Sequence, residues 1–81
     1  MEIAVEMSLY PLRDQYLPII ESLVRRLNER TDVKVHTTSM STQVVGDYDL
    51  VMQIVQQELK QVFEASQGKN ILVCKFLGPL D

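Results

Sequence analysis

Residues 2–10 alternate strictly. Ile3, Val5, Met7 and Leu9 fall on one side, and Glu2, Ala4, Glu6, Ser8 and Tyr10 on the other. A period of two over this length predicts a half-buried strand, which Pro11 stops because proline brings no N–H to a ladder. From Asp14 to Arg30 the period lengthens. Leu17, Ile20, Val24 and Leu27 recur at three- and four-residue spacing, widened by Ile19 and Leu23, and this predicts a helix. Pro18 lies in or near its first turn, where a missing N–H costs little. Arg25, Arg26, Glu29 and Arg30 form its wet side, with cations near the negative end of the dipole.

Alternation returns in Val33–Thr37 and again in Thr42–Gly46, separated by the polar Thr38-Ser39-Met40-Ser41. Two β-branched runs this close predict a hairpin. Asp47 is a suitable N-cap for a second helix, with Asp49 in its first turn. Val51, Met52, Val55, Leu59, Val62 and Phe63 are its expected apolar stripe, surrounded by Gln56, Gln57, Glu58, Lys60 and Gln61. Gly68 suits the residue just past its end. Asn70–Leu77 is the last strand, closed by Gly78-Pro79. The order βαββαβ predicts an α+β, ferredoxin-like domain: a four-stranded antiparallel sheet with both helices on one face.

This topology gathers three segments at one end of the sheet. They are the end of the first strand (Ser8, Tyr10, Pro11), the hairpin Thr38–Thr42, and the turn Gln67–Asn70. Hydroxyls, a phenol and a thioether meet there, so a small polar ligand is expected at that end. The sheet face away from the helices is the second informative surface. If Lys75 points outward on the last strand, Ile71, Val73 and Leu77 point outward with it, and contiguous exposed apolar surface marks an interface.

Composition narrows the function. With 81 residues, the chain is expected to be a single domain spanning 1–81, small enough to gain from oligomerising. Eight Lys+Arg against eleven Asp+Glu give a net charge of −3, which disfavours nucleic acid. One Cys and one His preclude an internal disulfide and a Cys/His metal cluster. The longest apolar run, Ile71-Leu72-Val73-Cys74, is too short to span a bilayer, and Met1–Glu6 lacks the features of a secretory leader. A cytoplasmic location without membrane insertion is expected.

Catalytic signals are weak. There is no Gly-rich phosphate loop, His36 reads as a solvated strand residue, and Cys74 alternates with Leu72 and Phe76 as a packed thiol. Arg13 stands where acylphosphatases of this topology grip phosphate, but Tyr10-Pro11-Leu12 is no anion-binding loop and no strand-three asparagine accompanies it. An RNA-recognition platform would need aromatic residues where the open face offers Ala4, Glu6, Ser8, Gln43 and Val45. Hairpin hydroxyls often only close turns. A plain reversal, however, is better served by Asn-Gly or Asp-Gly than by a polar turn with a central Met40.

Four stretches, Ser8-Leu9-Tyr10-Pro11-Leu12, Met40-Ser41-Thr42-Gln43-Val44, Gly46-Asp47-Tyr48-Asp49 and Val73-Cys74-Lys75-Phe76, resemble the thiamine/hydroxymethylpyrimidine-binding family typified by YkoF. The resemblance runs in order along nearly the whole chain. It implies a module that binds thiamine or its pyrimidine precursor without transforming it, for transport, storage or sensing. It also implies a homodimer or homotetramer, here through the open sheet face and strand four. No catalytic residue, metal or cofactor is expected beyond the vitamin ligand. The expected ligand-binding set is Ser8, Tyr10, Thr38, Met40, Ser41, Thr42 and Gln43, with Thr38 standing where the family more often has asparagine. The competing expectation is a ferredoxin-like oligomerisation or regulatory domain without a small-molecule ligand.

Overall fold

The computed structural model describes residues 1–65 and 67–81. The elements are β1 (Glu2–Pro11), α1 (Leu17–Asn28), β2 (Lys34–Thr37), β3 (Thr42–Asp47), α2 (Tyr48–Ala65) and β4 (Asn70–Leu77). The strands form one antiparallel sheet in the order β2-β3-β1-β4, the expected ferredoxin-like arrangement. Because β1 pairs with both β3 and β4, its helix-facing residues Ile3, Val5, Met7 and Leu9 are buried at the centre. Val44, Leu23, Leu27, Val51, Ile54, Val55 and Val62 complete the core. No helix among the described residues is long and apolar enough to cross a membrane.

Element boundaries depart from the periodicity for identifiable reasons. Pro11 is the last residue of β1 and pairs with Asn70, so the strand continues through the proline instead of stopping before it. Helix α1 begins at Leu17, not at Asp14. A turn starting at Asp14 would need an N–H from Pro18 to the Asp14 carbonyl, which proline lacks and its ring obstructs. Instead the Tyr16 carbonyl accepts the N–H groups of Ile19 and Ile20, and Leu17 is left exposed. At the other end, Glu29 N–H bonds the Arg25 carbonyl and Arg30 N–H the Leu27 carbonyl, tightening the last turn. Val33 precedes β2 instead of opening it, and packs against the core.

The buried stripe of α2 is rotated from the expected one. Ile54 is fully buried, whereas Phe63 is exposed and Met52 and Leu59 are half-buried. Glu58, expected on the wet side, is buried, and it bonds Arg26 of α1 at 2.8 Å. Arg26 is therefore not a solvent-facing residue either, and it also donates to Ser22 Oγ. The start of α2 is as expected: Asp47 Oδ2 accepts the Asp49 N–H, and the Tyr48 N–H is taken by the Met1 carbonyl. Gly68 has φ +86°, the left-handed region that glycine enters without a Cβ clash.

Candidate functional site

Strands β1, β2 and β3, the hairpin and helix α1 leave a cavity of about 500 Å³ at the hairpin end of the sheet. Its floor is the inward side of β1, Met7 and Leu9. Its helical wall is Ile20, Leu23 and Val24, and its rim is Tyr10, Tyr16 and the hairpin. Both tyrosines are about half exposed, as suits residues at a mouth. Among the described residues that line it, none is Asp, Glu, Lys, Arg, His or Cys.

The hairpin is organised by Thr38. Its Oγ1 accepts the N–H groups of Met40 (3.1 Å) and Ser41 (3.2 Å) and donates to the Ser41 carbonyl (3.3 Å), while its own N–H bonds the same carbonyl at 2.9 Å. This threonine hydroxyl shapes the turn. Ser8 Oγ donates to the Met40 carbonyl at 3.3 Å, tying the turn to β1 and leaving the Met40 side chain 82% exposed above the cavity. Behind the turn, Thr37 and Thr42 are cross-strand partners with hydroxyl oxygens 3.1 Å apart. Asn28, at the end of α1, donates to Thr37 Oγ1 at 3.0 Å and to the Val24 carbonyl at 2.8 Å. A polar relay thus runs from the helix end to Thr42, which is buried and lines the cavity.

Of the residues expected at the site, Ser8, Tyr10, Thr38, Met40, Ser41 and Thr42 all line the cavity. Gln43 does not. It lies on the open face, directly opposite Glu6 and His36, because alternation along β3 turns it away from Thr42. The turn 67–70 reaches the same end without lining the cavity: Leu12 N–H bonds the Lys69 carbonyl, and Arg13 donates to the Gln67 carbonyl at 2.8 Å. Thr37, Tyr16 and the α1 wall were not expected at the site. Tyr48 starts α2 and takes no part in it. His36 is exposed on edge strand β2. Cys74 faces the helices opposite Met7, and burial pushes its thiol pKa up, away from the reactive thiolate. Among the described residues, no group of three His, Cys, Asp or Glu is placed to hold a metal ion.

Such a cavity can hold a flat, small heterocycle between apolar walls and meet its polar edge with hydroxyls and backbone groups. Solved structures share the fold at low sequence identity. A Streptococcus pneumoniae protein superposes with a TM-score of 0.85 at 18% identity, covering 99% of this chain and 90% of that one. A Thermotoga maritima protein provisionally assigned to thiamine biosynthesis/salvage gives 0.81 at 14%, covering 94% and 82%. A hypothetical protein of Methanocaldococcus jannascii gives 0.80 at 20%, covering 99% and 82%. No curated protein matches the chain. The model of the YKOF-related family matches residues 2–76, nearly the whole chain, and the protein belongs to that family.

Proposed function

We propose that this chain binds thiamine or its hydroxymethylpyrimidine precursor without transforming it, for transport, storage or sensing, and that it homo-oligomerises through the open sheet face and β4. The cavity carries the reading. Its volume of about 500 Å³ is that of a small-molecule site, its walls are apolar, and its hydroxyls come from the hairpin, Ser8 and the two rim tyrosines. An aminopyrimidine offers an amino donor and ring-nitrogen acceptors, which the Ser41 and Thr42 hydroxyls match. Met40 and Tyr10 can cover its flat face. The cationic thiazolium of thiamine would rest at the mouth near the π-faces of Tyr10 and Tyr16. The absence of carboxylate, imidazole, thiol and amine side chains from the lining favours binding over chemistry. Membership of the YKOF-related family and the provisional thiamine role of the Thermotoga protein point the same way. Exposed Ile71, Val73 and Leu77 on one face of edge strand β4 support the oligomer.

Thermal melts and titration calorimetry with thiamine, hydroxymethylpyrimidine and, as controls, adenine nucleotides test this reading. Ligand at a hundred times its Kd stabilises by about 2.7 kcal/mol, on the order of 10 °C or more for a domain of this size. Saturable heat with either vitamin compound, and none with nucleotides, is expected. Silence at millimolar ligand would leave the chain an interaction domain without a small-molecule ligand.

A further inference from the structure

The buried hydroxyl of Thr42 is reached from outside the cavity by a chain of hydrogen bonds with a direction. The Val24 carbonyl can only accept, so the Asn28 amide turns its nitrogen towards it, at 2.8 Å. The same nitrogen gives its second proton to Thr37 Oγ1 at 3.0 Å. Thr37 Oγ1 lies 3.1 Å from Thr42 Oγ1. A hydroxyl that accepts becomes the better donor, so the chain runs inward: Asn28 to Thr37, Thr37 to Thr42, and Thr42 into the cavity that it lines. We propose that Asn28, exposed and outside the cavity lining, is a positioning residue that fixes the hydrogen-bond polarity of the site. It makes Thr42 a donor, so the cavity selects a heteroaromatic ring that presents an unprotonated ring nitrogen at that point and discriminates against C–H or N–H there. The inference rests on the ligand reading above and adds to it which edge of the ligand is read.

The other hydroxyls tied into the fold cannot take this part. Thr38 Oγ1 accepts the Met40 and Ser41 N–H groups and gives its proton to the Ser41 carbonyl, so its proton and both lone pairs are in use. Ser8 gives its proton to the Met40 carbonyl and faces a ligand as an acceptor. The Ser41 hydroxyl can donate or accept as the ligand asks, and so reads no polarity. Thr42 differs from all three. It is 4% exposed, so a ligand atom that cannot accept its proton leaves a buried donor unpaired.

Position 28 therefore controls what the site reads without touching the ligand. When the amide is removed, Thr37 is free to accept from Thr42, and a ligand without the ring nitrogen no longer strands the Thr42 proton. When the amide is replaced by a carboxylate, Thr37 gives its proton to that carboxylate and takes the proton of Thr42. The lone pairs of Thr42 then face the ligand, and the preference for a ring nitrogen turns into repulsion. A purely structural Asn28 would instead change the affinity of closely similar ligands by one common factor. Polarity changes the ratio between ligands that differ in a single ring atom.

The test uses the intact chain. Calorimetry measures the affinity of hydroxymethylpyrimidine and of its two pyridine analogues, each with one ring nitrogen replaced by C–H. In the wild type, at least one analogue is expected to bind roughly 5- to 150-fold more weakly than the parent, the loss for a buried donor left unpaired. In Asn28→Ala that ratio should fall towards one. In Asn28→Asp the same analogue should bind as tightly as the parent or more tightly. Both variants should stay folded by circular dichroism, because Asn28 is exposed at the end of α1. Equal affinity of the parent and both analogues in the wild type overturns Thr42 as a fixed donor and leaves the ligand reading standing. A wild-type ratio that persists unchanged in both Asn28 variants overturns the role of Asn28, and so does loss of folding in both. No binding of hydroxymethylpyrimidine or thiamine to the wild type overturns the ligand reading itself.

Discussion

Thr42→Val should weaken vitamin binding more than it weakens the fold. Thr42 is 4% exposed, and its Oγ1 lies 3.1 Å from Thr37 Oγ1, which already accepts a proton from Asn28 Nδ2. With an amide donating to it, Thr37 is set to give its own proton to Thr42. The Thr42 proton is then directed elsewhere, and Thr42 lines the cavity, so it can donate to a ring nitrogen. Valine keeps the β-branch and the volume but removes that proton. The fold loses one neutral hydrogen bond, ~0.5–1.5 kcal/mol, while Thr37 keeps its bond from Asn28. A buried methyl in place of the hydroxyl returns up to ~0.8 kcal/mol, so the net loss is ~1 kcal/mol or less and the melting point falls by under ~8 °C. Binding leaves a ligand nitrogen buried and unpaired, at ~1–3 kcal/mol, or roughly 5- to 150-fold in Kd. Ser41→Ala should weaken binding within the same range with almost no change in melting. The turn is held there by the Ser41 backbone and the Thr38 hydroxyl. Calorimetry with hydroxymethylpyrimidine and melts of the ligand-free variants measure both quantities. Wild-type affinity in both variants would refute the hydroxyl assignment, and a collapse in Thr42→Val stability would make the relay a structural feature only.

Arg13→Ala should leave vitamin affinity within about twofold, as expected for an exposed residue away from the cavity; a large loss would revive a phosphate grip of the acylphosphatase kind. Glu58→Ala should cost ~2–4 kcal/mol in urea unfolding, because Arg26, 19% exposed, loses its ion-pair partner. The double change Arg26→Met with Glu58→Leu should recover most of it, and an equal loss in the double variant would show that the pair contributes net stability. Gly78→Ala should cost ~1–3 kcal/mol, since its Cβ would come within 2.6 Å of Ile3 Cγ2, a β-branched side chain in the buried first strand; unchanged stability would mean that Ile3 yields freely.

The strands were legible because each writes its period of two in residues with one dry and one wet side. Ile3 to Leu9 are the clearest case, and the bounds of β4 agree with the sequence reading at both ends. The phase of α2 was not legible. Phe63 and Leu59 are more hydrophobic than Glu58, so pattern alone turns them inward. The charge on Glu58 is tolerated inside only because Arg26, 32 residues earlier, brings a partner on α1. That partnership is a tertiary fact, and no window along α2 contains it. Ile54 belongs to that same phase: a stripe through Met52 and Leu59 leaves it at the edge, whereas the stripe through Val51, Val55, Glu58 and Val62 buries it.

The hairpin half of the site was readable from chemistry, and the helical half was not. A run of hydroxyls around a methionine is a poor turn for its own sake, and that mismatch singled out Thr38 to Thr42. Ile20, Leu23 and Val24 carry no such mismatch, since a residue that walls a cavity and one that fills a core obey the same helical spacing. What separates them here is where α1 starts. Pro18 cannot complete a turn with Asp14, so the chain from Leu12 to Tyr16 stays outside the helix, and Leu12 and Tyr16 line the cavity. The ring at position 18, by denying the helix its earlier turn, therefore sets both the boundary of α1 and the place of Leu12 and Tyr16 in the cavity lining.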